Sequence, residues 1–276
     1  HVGGADPDLL PHLHGFAGYV FNPEQRRPSQ RQWALLEHAL RTRHHYAFET
    51  TPDHFPALGD WARAANAVLF LPDGTVRDPD LNLLLDPSAE EPDGDGRLPY
   101  AADAEHRKAK TRPLAEDRFG LRSPDSLPPL TSVGEVVLRP VAEVAARASA
   151  LMAVAVRGES HNEGKPIAPD TILSRLPLAE AGLSPGERGF FHDEAPPRQS
   201  IIDAVWRYEA LTVMLWTLGA LEELPPPDGI CDVPLISGLM LERGATLGEQ
   251  STLRDPAEIL DALDLTYRLH WAVVDA

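Results

Sequence analysis

Four polar side chains in the last third of the chain could do acid–base or metal chemistry: Glu209, Asp261, Asp264 and His270. Carboxylates that share a site either bind a divalent cation or divide into an acid and a base. An imidazole can transfer protons near neutral pH. If these side chains converge in a pocket, the sequence predicts a metal-assisted or acid–base hydrolase.

Two apolar segments carry these residues, and both are predicted to be helices. The segment 205–219, VWRYEALTVMLWTLG, is predicted as the central helix of its domain. The other segment begins with Asp255 as N-cap, Pro256 at the first helical position and Glu258 three residues after the cap. It reaches Ala276 without a C-cap signal, so it either continues in a longer natural chain or frays at its end.

The last helix carries a narrow polar stripe on an otherwise apolar circumference. Arg268 follows Asp264 by four residues, which is the spacing of an ion pair on a helix. The stripe is therefore either a structural or solvated polar network or a cleft for a ligand or partner. In helical projection it spans about 60° and contains Asp261, Asp264, Arg268 and Asp275.

A structural interpretation of the same residues is favoured over a catalytic one. Glu209 projects onto an apolar face, and an unpaired buried carboxylate would be unstable. Arg268 is the best candidate for its partner, whereas Arg207 can pair with Asp203 one turn back. The sequence therefore predicts a structural polar network of Asp203, Arg207, Glu209, Asp264 and Arg268.

Other histidines and the one cysteine give weaker signals. His12 and His14 alternate on a predicted strand, 12–21, and so share a face with metal-ligand spacing, but no third ligand is identifiable. We therefore expect no bound metal and no cofactor. His270 projects beside apolar residues and is predicted to be a hydrogen-bonded core residue. Cys231 has no local histidine to activate it, which indicates a buried thiol.

Composition excludes several classes of function. The 276-residue chain has a net charge of −17, which argues against nucleic acid as a partner and permits a basic protein partner. Its longest uncharged run is too short to span a bilayer. Residues 1–11 contain acids and prolines and do not resemble a secretion signal. Because the single cysteine excludes an internal disulfide, we expect a cytoplasmic protein without a membrane partner.

The pattern along the chain predicts an α+β protein: a small mixed α/β N-terminal module followed by an α-helical domain. Residues 1–100 indicate the order βαβαββ, with a helix at 29–43 that Ser29 caps, a second strand at 45–50 and a hairpin around Pro72–Gly74. Residues 101–133 are predicted as a proline- and acid-rich linker containing a charged segment that could be helical. Residues 134–276 are predicted to be helical, and the first helix ends at Gly158.

Three stretches of the second half carry a family resemblance. They are WRYEALTVMLWTLG (206–219), LPPPDGICDVP (224–234) and PAEILDALDLTYRLHWAVVDA (256–276). In sequence, order and spacing they resemble the bacterial family of unknown function DUF4272. The resemblance implies a helical, cytosolic domain and carries no activity with it.

The leading functional hypothesis is a non-catalytic binding or protein-interaction domain. The chain contains none of the local motifs G-x-S-x-G, P-loop, G-x-G-x-x-G or H-E-x-x-H. With the acidic composition, this favours a protein partner or self-association. The hydrolase described above is the alternative hypothesis.

Overall fold

Two compact units make up the chain in the computed structural model, which describes residues 2–3, 7–20 and 28–274. Unit 1 comprises His1–Ser132 together with Tyr267–Ala276, and unit 2 comprises Val133–Thr266. The chain is predominantly helical with a small antiparallel sheet, so the predicted α+β class is confirmed. The finer division into 1–100, 101–133 and 134–276 stays a prediction.

Unit 1 combines short strands with helices. Strands β1 and β2 pair antiparallel, and β3, β4 and β5 form an antiparallel sheet in that order. The elements are β1 (Val2–Gly3), α1 (Leu9–Val20), α2 (Gln30–Arg41), β2 (His44–His45), α3 (Phe55–Ala64), β3 (Leu69–Phe70), β4 (Val76–Arg77), β5 (Leu83–Leu85) and α4 (Ala102–Phe119).

The strand predicted at 12–21 is wrong, because residues up to Val20 belong to helix α1. Aromatic and β-branched residues suggested a strand, but burial follows helical spacing. Leu9 and Leu13 are both buried one turn apart, and α1 packs against α2. The second predicted strand, 45–50, is also shorter than expected, since β2 covers only His44–His45.

Local signals placed the neighbouring elements correctly. Ser29 caps α2 in a capping box with Gln32. The predicted hairpin joins β3 to β4: Asp73 Oδ1 accepts the N–H of Thr75 at 2.9 Å, and Gly74 has a φ of 86°. A positive φ at this position explains the glycine.

Residues 101–133 contain helix α4 where the sequence predicts a charged segment that could be helical. Helix α4 ends at Phe119, and Gly120, whose φ is 66°, is its left-handed C-cap. The proline-rich stretch after α4 is then held by cations of unit 1 that donate to its backbone carbonyls. These contacts are Lys108 to Leu127 at 2.6 Å, Arg268 to Pro128 at 3.0 Å, Arg41 to Pro129 at 3.5 Å and Arg107 to Thr131 at 3.1 Å.

Unit 2 is built from helices around one buried helix, α5. The segment 205–219 was predicted to be central, but the core instead surrounds α5, whose buried residues are mostly small. The elements are α5 (Val141–Asn162), α6 (Pro169–Arg175), α7 (Ala179–Gly182), α8 (Pro185–His192), α9 (Arg198–Val205), α10 (Arg207–Thr217), α11 (Val233–Arg243), α12 (Leu247–Gln250) and the start of α13 (Pro256–Val274).

Two boundaries in unit 2 differ from the sequence prediction. Gly158 lies inside α5 and does not end it, and a Cβ there would lie 2.7 Å from the Cβ of Ala204 on α9. The glycine therefore permits close packing of two helices. The segment 205–219 is divided between α9 and α10 at Trp206.

The start of the last helix was predicted correctly. Helix α13 begins at Pro256, and the side chain of Asp255 accepts the N–H of Ala257 at 2.8 Å. Across the described ranges, we find no helix that is both long and apolar enough to cross a bilayer.

Candidate functional site

Glu209 lies half-buried on α10 and binds a loop of its own unit. Its Oε1 accepts a hydrogen bond from the backbone N–H of Cys231 at 2.9 Å, which attaches the segment before α11 to α10. The sequence analysis predicts an ion pair between Glu209 and Arg268. That bridge joins residues assigned to different units and stays a prediction.

Cys231 is a buried cysteine, 7% exposed, as predicted. Burial raises the pKa of its thiol above the ordinary value; the Thr212 hydroxyl opposes this and the Glu209 carboxylate adds to it. The thiol is therefore protonated at neutral pH, and its environment is that of a structural residue and not of a nucleophile.

Asp203 and Arg207, predicted to pair with each other, have other partners. Asp203 accepts a hydrogen bond from the Gln199 side chain at 2.8 Å. The Nε of Arg207 lies 3.7 Å from Oε1 of Glu187 on α8. The predicted network thus extends toward a carboxylate that sequence reasoning missed, because that carboxylate is twenty residues away in the chain.

Glu187 accepts hydrogen bonds from two neighbouring parts of unit 2. Arg147 on α5 donates to both its oxygens, at 2.5 and 2.8 Å, and also to the carbonyl of Gly182 at 3.1 Å. Glu187 further forms a capping box with Ser184 at the start of α8. Hydrogen bonds from Arg147 outweigh burial and lower the pKa of Glu187 to about 2. Glu187 is thus an anion at neutral pH, and it joins α8 to α5.

Arg157 forms a second attachment between α5 and the α8 region. It is 4% exposed, and its guanidinium donates to three backbone carbonyls. Burial lowers its pKa, although nearby Asp193 and Glu194 oppose this. The acceptors are the carbonyls of Phe191 at 3.2 Å, Ile167 at 2.6 Å and Asp193 at 2.9 Å.

Tyr208 connects α10 to α5 through a hydrogen bond. Its hydroxyl donates to Oε2 of Glu159 at 2.9 Å, and burial, followed by the Glu159 carboxylate, raises the pKa of Tyr208. A phenol with a raised pKa that donates to a carboxylate stays protonated at neutral pH. This contact is also structural.

The candidates on α13 differ in burial. Asp264 and Arg268 have no exposed surface, and Asp261 is half-buried. The Arg268 guanidinium lies 5.4 Å from the centre of the Tyr267 ring, in addition to its bond to the Pro128 carbonyl described above. Its position supports a structural role.

His270 was predicted to be a core residue, and that prediction is wrong. It is exposed, and its ring meets that of Trp271 edge-on at a centroid distance of 5.7 Å. The helical projection placed it beside Leu263, which is itself 50% exposed, so both lie on the outer side. Asp275, the last member of the predicted stripe, lies outside the described residues.

His12 and His14 do not share a face, because they lie two residues apart on a helix and not on a strand. The His12 ring lies 5.4 Å from that of His45. Over residues 2–3, 7–20 and 28–274, no three His, Cys, Asp or Glu side chains are arranged to hold a metal ion. An open cleft of about 560 Å³ beside His12, between α1 and the β3–β4 hairpin, has aromatic walls, and its described lining residues include no carboxylate.

Helix α11 presents an apolar face to solvent. Its inner side places Ile236 and Met240 in the core. Its outer side exposes 49% of Leu235 and 71% of Leu241, with the exposed Gly238 between them. Just before the helix, Ile230 is 79% exposed. We call Ile230 together with the exposed α11 residues Pro234, Leu235, Gly238, Leu241 and Glu242 the outer α11 face.

Sequence reasoning missed the outer α11 face, although one signal was present. Residues 233–241, VPLISGLML, contain no charged residue. A helix that is apolar around its whole circumference is normally buried on all sides. Only the structure shows that one side of this helix is left uncovered.

Comparison with known proteins identifies a family for this chain but no activity. A sequence profile described as "Domain of unknown function (DUF4272)" matches residues 107–276, which is more than half of the chain. No curated protein and no solved structure matches the chain.

Proposed function

Since this chain belongs to the DUF4272 family, a domain of unknown function, we propose a function from its own surface: it is a non-catalytic protein-interaction domain. In this proposal, the outer α11 face is the surface that contacts the partner.

The apolar outer α11 face is the observation that carries the proposal. Leu235 and Leu241 on α11, with Ile230 just before it, expose large apolar side chains within one short segment. Soluble monomers rarely leave contiguous apolar patches uncovered, and such patches typically mark interaction sites. Complete burial of a fully exposed Leu or Ile side chain contributes about 1.5–3 kcal/mol, and covering the exposed part of each of these side chains would contribute a corresponding fraction.

The partners of the polar candidates also favour binding over hydrolysis. Glu209 is hydrogen-bonded to a backbone N–H, and Glu187 is held by Arg147 and its own helix cap. Asp264 has no surface from which to reach a substrate. These contacts give the candidate side chains a role in stabilising the fold.

A site-specific photocrosslinker tests the proposal. We would place it at position 241 in the full-length chain and irradiate the protein in cells that produce it naturally. A discrete crosslinked protein is expected at position 241. The matched control is position 137, where Val137 is equally exposed at 71% in unit 2 but lies outside α11. Equal crosslinking at both positions, or none at 241, would contradict the proposal.

A further inference from the structure

The segment that carries the outer α11 face is strongly acidic. Between residue 222 and the end of α11 the chain has five carboxylates and one cation, Arg243. Two of them border the apolar residues directly. Asp232 is the N-cap of α11 and accepts the N–H of Leu235 at 3.0 Å, and Glu242 lies one turn after Gly238 on the exposed side. The five are Glu222, Glu223, Asp228, Asp232 and Glu242.

Gly238 gives the outer α11 face a shallow depression. A Cβ at this position would meet nothing within 4 Å, so the site is open. Leu235 precedes Gly238 by three residues and Leu241 follows it by three, so the two leucines flank the depression on a helical surface. A depression between apolar side chains is the shape that receives a projecting side chain of another helix.

Charge decides between two possible occupants. A second copy of this chain, packed symmetrically, would bring the same acidic segment against itself, in a molecule whose net charge is already −17. Like charges brought together across an interface oppose association. A partner with lysines or arginines beside its apolar residues would instead be attracted.

We infer that the outer α11 face binds an amphipathic helix of another protein, with apolar anchors at helical spacing flanked by lysine or arginine. The apolar anchors would cover Leu235, Leu241 and the depression at Gly238, and the cations would lie near Asp232 and Glu242. This inference rests on the proposed function and adds the chemistry of the partner.

A pair of model peptides tests the inference on the full chain. Both are amphipathic helices of about 18 residues, or five turns, with the same leucine stripe. The polar positions are all lysine in one and all glutamate in the other. Calorimetry should show saturable one-to-one binding of the Leu/Lys peptide, weakening as NaCl rises from about 50 to about 500 mM. The Leu/Glu peptide should not bind.

Leu241→Asp separates specific docking from general attraction. The substitution adds a negative charge, so attraction alone would tighten binding of the Leu/Lys peptide. Loss of the apolar anchor should instead weaken it at least about tenfold. Val137→Asp adds the same charge elsewhere on unit 2 and should bind like the wild type. Glu242→Gln should weaken binding and reduce its dependence on salt.

Several outcomes would overturn the inference. These are no binding of the Leu/Lys peptide, equal binding of the Leu/Glu peptide, or unchanged binding to Leu241→Asp. A dimer by light scattering that Leu241→Asp dissociates would show that a second copy is the occupant. If the peptide fails but position 241 still crosslinks to a protein, the basic-helix inference fails and the proposed function stands. If neither result is obtained, both fail.

Discussion

Two arginines on α5 hold the α8 region by different chemistry. Arg147 meets the Glu187 carboxylate in the first turn of α8, whereas Arg157 meets the carbonyls of Phe191 and Asp193 near its end, together with that of Ile167. The side chain of Arg147 is 36% exposed, while Arg157 is 4% exposed. One helix thus fastens another near both ends, once with an ion pair and once with neutral acceptors.

The two attachments differ in how much folding stability is lost without them and in whether they respond to pH. Phe191 is buried, whereas Ile167 and Asp193 are exposed residues, so an unsatisfied acceptor would be most unfavourable at Phe191. All three carbonyls would lose a hydrogen bond to a charged donor if Arg157 were removed. They do not titrate, however. The Glu187 carboxylate does titrate, so only the attachment at the start of α8 depends on pH.

Replacing Arg157 should have the largest effect. Arg157→Met keeps the volume but leaves three carbonyls without their donor, which should lower the free energy of unfolding by about 3–5 kcal/mol. Arg157→Lys keeps the charge but not the planar fork and should fall between wild type and Arg157→Met. Urea denaturation at neutral pH measures both. A loss for Arg157→Met of less than about 1 kcal/mol would show that water replaces the guanidinium.

Replacing Glu187 should have a smaller effect, because Arg147 retains access to water. Glu187→Ala removes the ion pair and the capping box and should lower the free energy of unfolding by about 2–3 kcal/mol. Glu187→Gln keeps an acceptor for the Ser184 N–H, so it should lose less. A double-mutant cycle with Arg147→Ala should give a coupling of at least about 0.5 kcal/mol, since the two residues touch. Additive losses would contradict the pairing.

Acid should weaken the Glu187 attachment and leave that of Arg157 intact. The pKa of Glu187 is lowered from 4.5 to about 2 in the folded chain. Its contribution is therefore fully present above pH 4.5 and is lost as pH falls toward 2. Urea midpoints between about pH 6 and pH 3 should fall less steeply for Glu187→Gln than for wild type. Arg157→Lys should show the same dependence of the urea midpoint on pH as wild type. A weaker dependence would contradict the conclusion that only the Glu187 attachment responds to pH.

Features set by a few neighbouring residues could be predicted from the sequence. The Ser29 cap of α2, the hairpin at Gly74 and the start of α13 at Pro256 each depend on contacts within four residues. Such contacts form between neighbouring residues and do not depend on distant parts of the chain. Helix α1 was predicted as a strand because its aromatic residues are typical of strands. The spacing of Leu9 and Leu13, one helical turn apart, was the signal for a helix.

Features set by distant contacts could not be predicted. The acceptors of Arg157 are backbone carbonyls, which every residue has, so no sequence pattern marks them. The partner of Glu209 is likewise a backbone N–H, that of Cys231. Gly158 looks like a helix end in sequence, and only the position of Ala204 reveals its packing role. The outer α11 face depends on which side of the helix the core covers.

The smallest effect is expected at Glu209, and it also tests the pairing that sequence favoured. In the structure Glu209 is half-buried and accepts one backbone hydrogen bond, so Glu209→Ala should lower the free energy of unfolding by about 1–2 kcal/mol. Glu209→Gln retains an acceptor and should stay within about 0.5 kcal/mol of wild type. Thermal unfolding measures both changes.

The size of the Glu209→Ala effect separates two arrangements. Breaking a buried ion pair with Arg268 would lower stability by about 3–5 kcal/mol, and Glu209→Gln would then also be costly, because the charge of Arg268 would lose its partner. The observed hydrogen bond predicts a second signature besides the small loss. Without Glu209, the segment before α11 loses its attachment, so the Cys231 thiol should react faster with a disulfide reagent than in wild type or Glu209→Gln. A large loss of stability with unchanged thiol reactivity would favour the Arg268 bridge over the Cys231 contact.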